Sequence, residues 1–257
     1  MTALVTGAGK RLGREMALYL ARRGHDVAVH YATSAAEADE VVSQIQSLGR
    51  KAVALQADLL IEDQVDLLIP QAQAALGPVT VLVNNASIFE YDRIETATRE
   101  SWDRHIMSNL RAPYVLTQAF ARQCPPAVQD ENGEPVAQGL IVNMLDQRIH
   151  KLTPEFSTYT IAKMGLWALT RTSAQGLAPH IRVNGIGPGP TLRGGRQSES
   201  HFARQRAATV LGRGANASDI TAALGFFLDS PSVTGQMISV DGGQHLAWQT
   251  PDVLGVE

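Results

Sequence analysis

Short apolar runs alternate along the chain with longer segments whose apolar positions recur every three or four residues. Residues 3–6 read as a first strand. Over 11–23, Leu12, Met16, Ala17, Leu20 and Ala21 share one helical face, and Gly24 is a stop signal. A second strand is expected at 27–31. A helix follows at 35–48, burying Ala38, Val41, Val42, Ile45 and Leu48, with Gly49 closing it. A third strand occupies 52–56. The helix expected at 61–76 carries Pro70, which should kink or divide it. Residues 79–84 are apolar enough for a strand buried on both faces. A long helix is expected at 102–122, locally distorted by Pro113. The stretch 124–139 reads as a surface loop. Strands at 140–144, 181–185 and 237–240 then alternate with helices at 156–177 and 220–228.

Strands separated regularly by helices mean βαβ units, a parallel sheet and right-handed crossovers. The expected fold is a single doubly wound α/β domain over residues 1–257, with seven parallel strands in the order 3-2-1-4-5-6-7. Such a sheet binds ligands at the carboxyl ends of its strands.

Composition narrows the function. Hydrophobic residues, at 44%, are enough for a sizeable core, and a net charge of −3 argues against a nucleic-acid partner. The single cysteine, Cys124, excludes an intrachain disulfide. The histidines lack ligand spacing, so no metal site is expected. No apolar run reaches membrane-spanning length, and the first residues carry no signal-peptide pattern. A cytoplasmic protein with no membrane partner is expected.

The segment Thr6-Gly7-Ala8-Gly9-Lys10-Arg11-Leu12-Gly13 joins the first strand to the first helix. Glycines there let the backbone approach a pyrophosphate, and the helix N-terminus favours an anion. Alone, the segment would fit an ordinary tight turn; its place in a βαβ unit makes it a dinucleotide site. The second strand ends His30-Tyr31-Ala32-Thr33-Ser34, without the carboxylate that would bind a ribose 2′-hydroxyl and repel a 2′-phosphate. Lys10 and Arg11 add positive charge, and Thr33 and Ser34 add hydroxyls. NADPH is therefore expected over NADH, although Thr33 and Ser34 could equally serve as caps of the next helix.

Tyr159 and Lys163 stand four residues apart on a predicted helix, so both project from one face. A free phenol, with a pKa of about 10, is a sluggish acid or base near neutrality. A neighbouring ammonium should draw it toward phenolate.

These features resemble the short-chain dehydrogenase/reductase family along essentially the whole chain. The matching motifs are the turn at 6–13, Asp58-Leu59, Asn84-Asn85-Ala86, Asn109, Tyr159 with Lys163, Pro188-Gly189 and Asp241-Gly242-Gly243. The resemblance implies a Rossmann fold and catalytic roles for Tyr159, Lys163 and Asn109; Asp146 joins that set only through a narrower resemblance. It implies cofactor contacts from Gly7, Lys10, Arg11, Leu12, Gly13, His30, Tyr31, Thr33, Ser34, Asp58, Leu59, Asn85, Ala86, Lys163, Pro188 and Gly189. Asp58 and Leu59 would flank the adenine, Lys163 would hold the nicotinamide ribose, and Asn109 would support a water leading to Lys163.

Two positions depart from the family pattern. Arg11 stands where the turn usually has glycine, and Asp146 where a serine usually donates to a substrate carbonyl. An ionised carboxylate only accepts hydrogen bonds, so Asp146 suits carbonyl reduction poorly. Both departures resemble the pteridine reductases, as do His30-Tyr31 and Asn84-Asn85-Ala86-Ser87 followed by Phe89. That resemblance implies a pterin stacked on Phe89, with Arg11, Ser87, Asp146 and Tyr159 as contacts. The expected function is NADPH-dependent reduction of a pterin through Tyr159 and Asp146. The alternatives are a carbonyl or 3-oxoacyl reductase, and a catalytically silent NADP-binding sensor or assembly subunit. Residues 190–213 should cover the substrate. A homotetramer is implied, with the tail residues Leu246, Trp248 and Val253 reaching a neighbour.

Overall fold

In the computed structural model, residues 1–195 and 197–249 are described. Seven parallel strands form one sheet: β1 (Thr2–Val5), β2 (Asp26–Tyr31), β3 (Ala52–Gln56), β4 (Val79–Asn84), β5 (Gly139–Met144), β6 (Ile181–Pro188) and β7 (Met237–Val240). Their spatial order is β3-β2-β1-β4-β5-β6-β7, as the sequence pattern predicts. Every residue of β1 and β5 is buried, which is why both read as unbroken apolar runs.

Successive strand residues point to opposite faces, and the core divides accordingly. Ala3, Val5, Leu140 and Val142 pack with residues of α1 (Arg11–Arg22), α2 (Ala35–Ser47) and α8 (Ala217–Asp229). Leu4 and Ile141 pack on the opposite face with residues of α3 (Glu62–Leu76), α5 (Ala112–Gln123) and α6 (Ser157–Gly176).

The elements differ from the sequence expectation at five places. The helix expected at 102–122 is three pieces: α4 (Arg99–Ile106), a π turn at Met107–Arg111, and α5. Pro113 lacks an amide to bond the carbonyl four residues earlier, which is that of Asn109, and the helix widens just before it. Pro70, by contrast, sits inside an uninterrupted α3. Its ring and Asp66, whose carbonyl loses a donor, both face solvent. The loop at 124–139 contains a short antiparallel ribbon, Val128–Gln129 with Pro135–Val136. Strand β6 runs on to Pro188, and the loop expected to cover the substrate holds a helix, α7 (Glu199–Ala207). In the tail, Gln244–Leu246 form a 3-10 turn, with Leu246 and Trp248 exposed; Val253 lies outside the described residues. No helix among the described residues is long and apolar enough to cross a membrane.

Candidate active site

The phosphate turn is built by close packing. Gly7 has φ +62°, in the left-handed region, and a Cβ on Gly13 would lie 2.1 Å from the Gly7 carbonyl. The Thr6 hydroxyl accepts from the Asn85 and Ala86 amides, each at 2.9 Å, and Asn85 Nδ2 donates to the Thr6 carbonyl at 2.8 Å. The ends of β1 and β4 are thereby joined. Lys10 caps α1 without any side-chain bond to its first amides, which leaves a helix N-terminus open to an anion. This cradle fits a dinucleotide pyrophosphate.

His30 has a supporting place there. It is 1% exposed, its Nδ1 accepts from the Gly7 amide at 3.0 Å, and its Nε2 faces the Ala57 carbonyl at 3.0 Å. An amide can only donate, so Nδ1 is bare and Nε2 carries the hydrogen. Burial lowers the imidazole pKa to about 4, so the ring stays neutral and holds the turn from behind. Tyr31 is half-buried, Thr33 exposed and Ser34 half-buried at the outer edge. Ser34 makes no side-chain capping bond to α2. Lys10 is paired with Glu37 at 2.7 Å, so its charge is partly spent. Asp58 is exposed and Leu59 buried beside β3.

Arg11 sits at φ +54°, a conformation glycine adopts far more readily. Its guanidinium donates to the carbonyls of Arg193 (2.7 Å) and Leu192 (3.0 Å), tying the glycine-rich turn to the loop at 190–213. Across the cleft, Gly189 donates to Val240 O, and a Cβ there would lie 2.7 Å from Asp241 Cα. The Asp241-Gly242-Gly243 turn therefore requires a glycine at 189.

The centre lies at the end of β5. Tyr159 donates to Asp146 Oδ2 at 2.8 Å, while Asp146 Oδ1 accepts the Arg148 amide at 2.8 Å. Burial raises the Asp146 carboxyl above its ordinary value. Burial, then the Asp146 charge, raises Tyr159 well above its own, and the Ser87 hydroxyl pulls weakly the other way. Lys163 is 2% exposed and donates to Met144 O at 2.7 Å. Its Nζ stands 5.6 Å from the Tyr159 ring centre, and burial lowers its pKa to about 8. The expectation that Lys163 draws Tyr159 toward phenolate is thus corrected. Desolvation and the neighbouring Asp146 hold the phenol in its protonated form, able to donate.

Phe89 stacks on Phe156, with centroids 4.2 Å apart and planes at 10°, and meets Tyr159 edge-on at 4.7 Å. Arg148 lies over the Phe156 ring at 4.8 Å. Neither Phe156 nor Arg148 was singled out from the sequence, because nothing local marks them. Asn109 is fully buried, and its side chain both accepts from the Ile88 amide and donates to the Ile88 carbonyl, each at 2.8 Å.

A phenol, an ammonium and a dinucleotide cradle converge on one cleft, and the short chain dehydrogenase pattern matches residues 1–202. The chain belongs to the short chain dehydrogenase family. It is an oxidoreductase. Among solved structures of this family, it is similar to FolM alternative dihydrofolate reductase 1 from Brucella suis in complex with NADP. The identity is 42%, the TM-score 0.90, and 98% of each chain is covered. The Brucella canis protein, also complexed with NADP, is 41% identical with a TM-score of 0.90, covering 98% of this chain and 96% of its own. The 3-oxoacyl-[acyl-carrier-protein] reductase FabG of Staphylococcus aureus is 30% identical over 250 residues, which is 95% of this short chain dehydrogenase and 98% of FabG.

Proposed function

We propose that this short chain dehydrogenase reduces a dihydropterin to a tetrahydropterin with NADPH. The observation that carries the proposal is the Tyr159–Asp146 hydrogen bond, standing where carbonyl reductases of the family place a serine. A pterin C=N bond takes a hydride, which brings both electrons, at carbon, and a proton at nitrogen; no alkoxide forms, so no oxyanion donor is required. When bound, NADPH supplies the hydride and leaves as NADP⁺. Tyr159 delivers the proton to the ring nitrogen, and Asp146, raised by burial, replaces it. Lys163 orients the nicotinamide ribose. Phe89, backed by Phe156, offers a ring to a flat heterocycle. The two Brucella proteins, called dihydrofolate reductases and complexed with NADP, support this substrate class and this cofactor.

Within this reading, the first amides of α1 hold the pyrophosphate, Asp58 and Leu59 flank the adenine, and Pro188-Gly189 borders the nicotinamide. Thr33, Ser34 and Lys10, once released from Glu37, meet the 2′-phosphate. The chain works as a homotetramer built on the helices that carry Asn109 and Tyr159. A groove of about 460 Å³ between α5 and α6, lined by Tyr114, Ala121, Leu169 and Leu177, offers the contact surface.

The test is NADPH consumption with dihydropterins, dihydrofolate, simple ketones and a 3-oxoacyl thioester. Turnover of the pteridines, with NADPH preferred over NADH by about tenfold or more in kcat/KM, is expected. Thioester turnover without pteridine turnover would replace this reading with the one that FabG favours.

A further inference from the structure

Ser101, His105 and Asn109 follow one another at intervals of four along α4 and the π turn. Each side chain reaches the segment that carries Phe89, and the contacts run in reverse order. Ser101 Oγ donates to Asp92 Oδ2 at 3.2 Å, the Glu90 amide donates to His105 Nε2 at 3.1 Å, and Asn109 clamps Ile88 through its side-chain oxygen and nitrogen. Four helical residues rise about 6 Å. Two residues of extended chain advance about 6.6 Å. The repeats nearly match, so the helix grips every second residue: 88, 90 and 92. The residues between them, Phe89 and Tyr91, both turn their rings to Phe156, at 4.2 Å stacked and 5.2 Å edge-on.

The middle contact also reaches the catalytic helix. Because the Glu90 amide must donate, His105 Nε2 is bare and the ring is neutral, with its hydrogen on Nδ1. That hydrogen points to Thr158 Oγ1 at 2.7 Å, and Thr158 in turn donates to the Asp92 carboxylate. Thr158 immediately precedes Tyr159. His105, fully buried, therefore links the Phe89 segment to the start of α6.

We propose that His105 is a positioning residue. Through Glu90 and Thr158 it sets Phe89 against Tyr159, and so sets the width of the substrate slot. The inference rests on Phe89 as the substrate wall but not on the pterin itself. If no pteridine is reduced, that assignment fails on its own, and the same variants are measured with whichever substrate the parent reduces.

The test compares His105→Phe, which keeps the bulk and removes both hydrogen bonds, with His105→Gln, which restores an acceptor and a donor. In His105→Phe, substrate KM should rise about tenfold, the effect of one or two buried hydrogen bonds. Its kcat should stay within about threefold, and NADPH affinity should not change. His105→Gln should recover KM to within about threefold of the parent. A folded His105→Phe with parental KM overturns the proposal, as does an equal loss in both variants or a loss of NADPH affinity. If His105→Phe does not fold, Thr158→Val breaks the same link with little change of shape. A KM increase with kcat kept supports the proposal, and a parental KM overturns it.

Discussion

The Tyr159 hydroxyl donates to Asp146 Oδ2 across 2.8 Å, and burial favours the protonated form of each group. Tyr159→Phe should therefore remove most turnover, by about 10²–10⁴-fold, while NADPH still binds. Asp146→Ser and Asp146→Asn should both slow dihydropterin reduction, since a hydroxyl does not store a titratable proton as a carboxyl does and an amide does not relay one, and Asp146→Ser should gain on simple ketones. Steady-state kinetics on the panel decide it. Parental pterin turnover in both Asp146 variants would remove the mechanistic basis of the pterin assignment.

Lys163 should set the alkaline limit of activity. Burial brings its pKa to about 8, so the ammonium is present below that pH and lost above it. The kcat/KM for reduction should fall as pH rises through about 8. In Lys163→Arg the guanidinium stays charged, and that limb should disappear. Lys163→Met should lower both turnover and NADPH affinity at every pH. A parental profile with no alkaline fall would count against this role for the ammonium.

His30 should make the fold acid-sensitive. Its folded pKa of about 4 lies below the ordinary 6.5, so the unfolded chain binds a proton that the folded chain refuses. Stability from the neutral ring is complete above 6.5 and is lost as pH falls toward 4. Between about pH 7 and about pH 5 this one group should cost roughly 2 kcal/mol. His30→Gln, which can accept from Gly7 and donate to Ala57, should flatten that dependence. Urea unfolding at the two pH values measures it, and equal slopes for parent and variant would refute the assignment.

Arg11 should trade local strain for loop closure. A non-glycine residue at φ +54° costs about 1 kcal/mol, while its guanidinium holds the carbonyls of Leu192 and Arg193. Arg11→Gly should leave the melting temperature no lower, yet speed tryptic cleavage after Arg193. Arg11→Lys keeps the charge without the fork and should be cleaved at an intermediate rate. Identical cleavage of parent and Arg11→Gly would show that this contact does not hold the loop.

Much of the molecule was readable residue by residue. Ala3, Leu4 and Val5 alternate between two cores, and their apolar run marks a strand covered on both faces. Tyr159 and Lys163 share a helix face because four residues make about one turn. Gly7 and Gly13 mark the glycine-rich turn because φ +62° at one favours glycine and the close approach at the other admits no side chain. These are properties of neighbours in the chain, and local periodicity and backbone geometry express them. The missed elements were weaker as local signals: α7 buries none of its residues, so it has no apolar stripe to read.

The chemistry of the groups depended on contacts the chain makes with itself at long range. Tyr159 stays a phenol because the fold buries it beside Asp146, a desolvation that no spacing encodes. Arg11 meets carbonyls more than 180 positions away, and His30 meets Gly7 and Ala57 across two neighbouring strands. The Ser101, His105 and Asn109 interval was present in the sequence, but its purpose required the segment 88–92 laid alongside. Sequence alone determined the strands, the turn and the shared helix face of Tyr159 and Lys163, since their signals arise within a few residues. Tertiary structure alone decided protonation, partner choice and the shape of the slot, since burial and hydrogen-bond geometry exist only after distant segments have packed together.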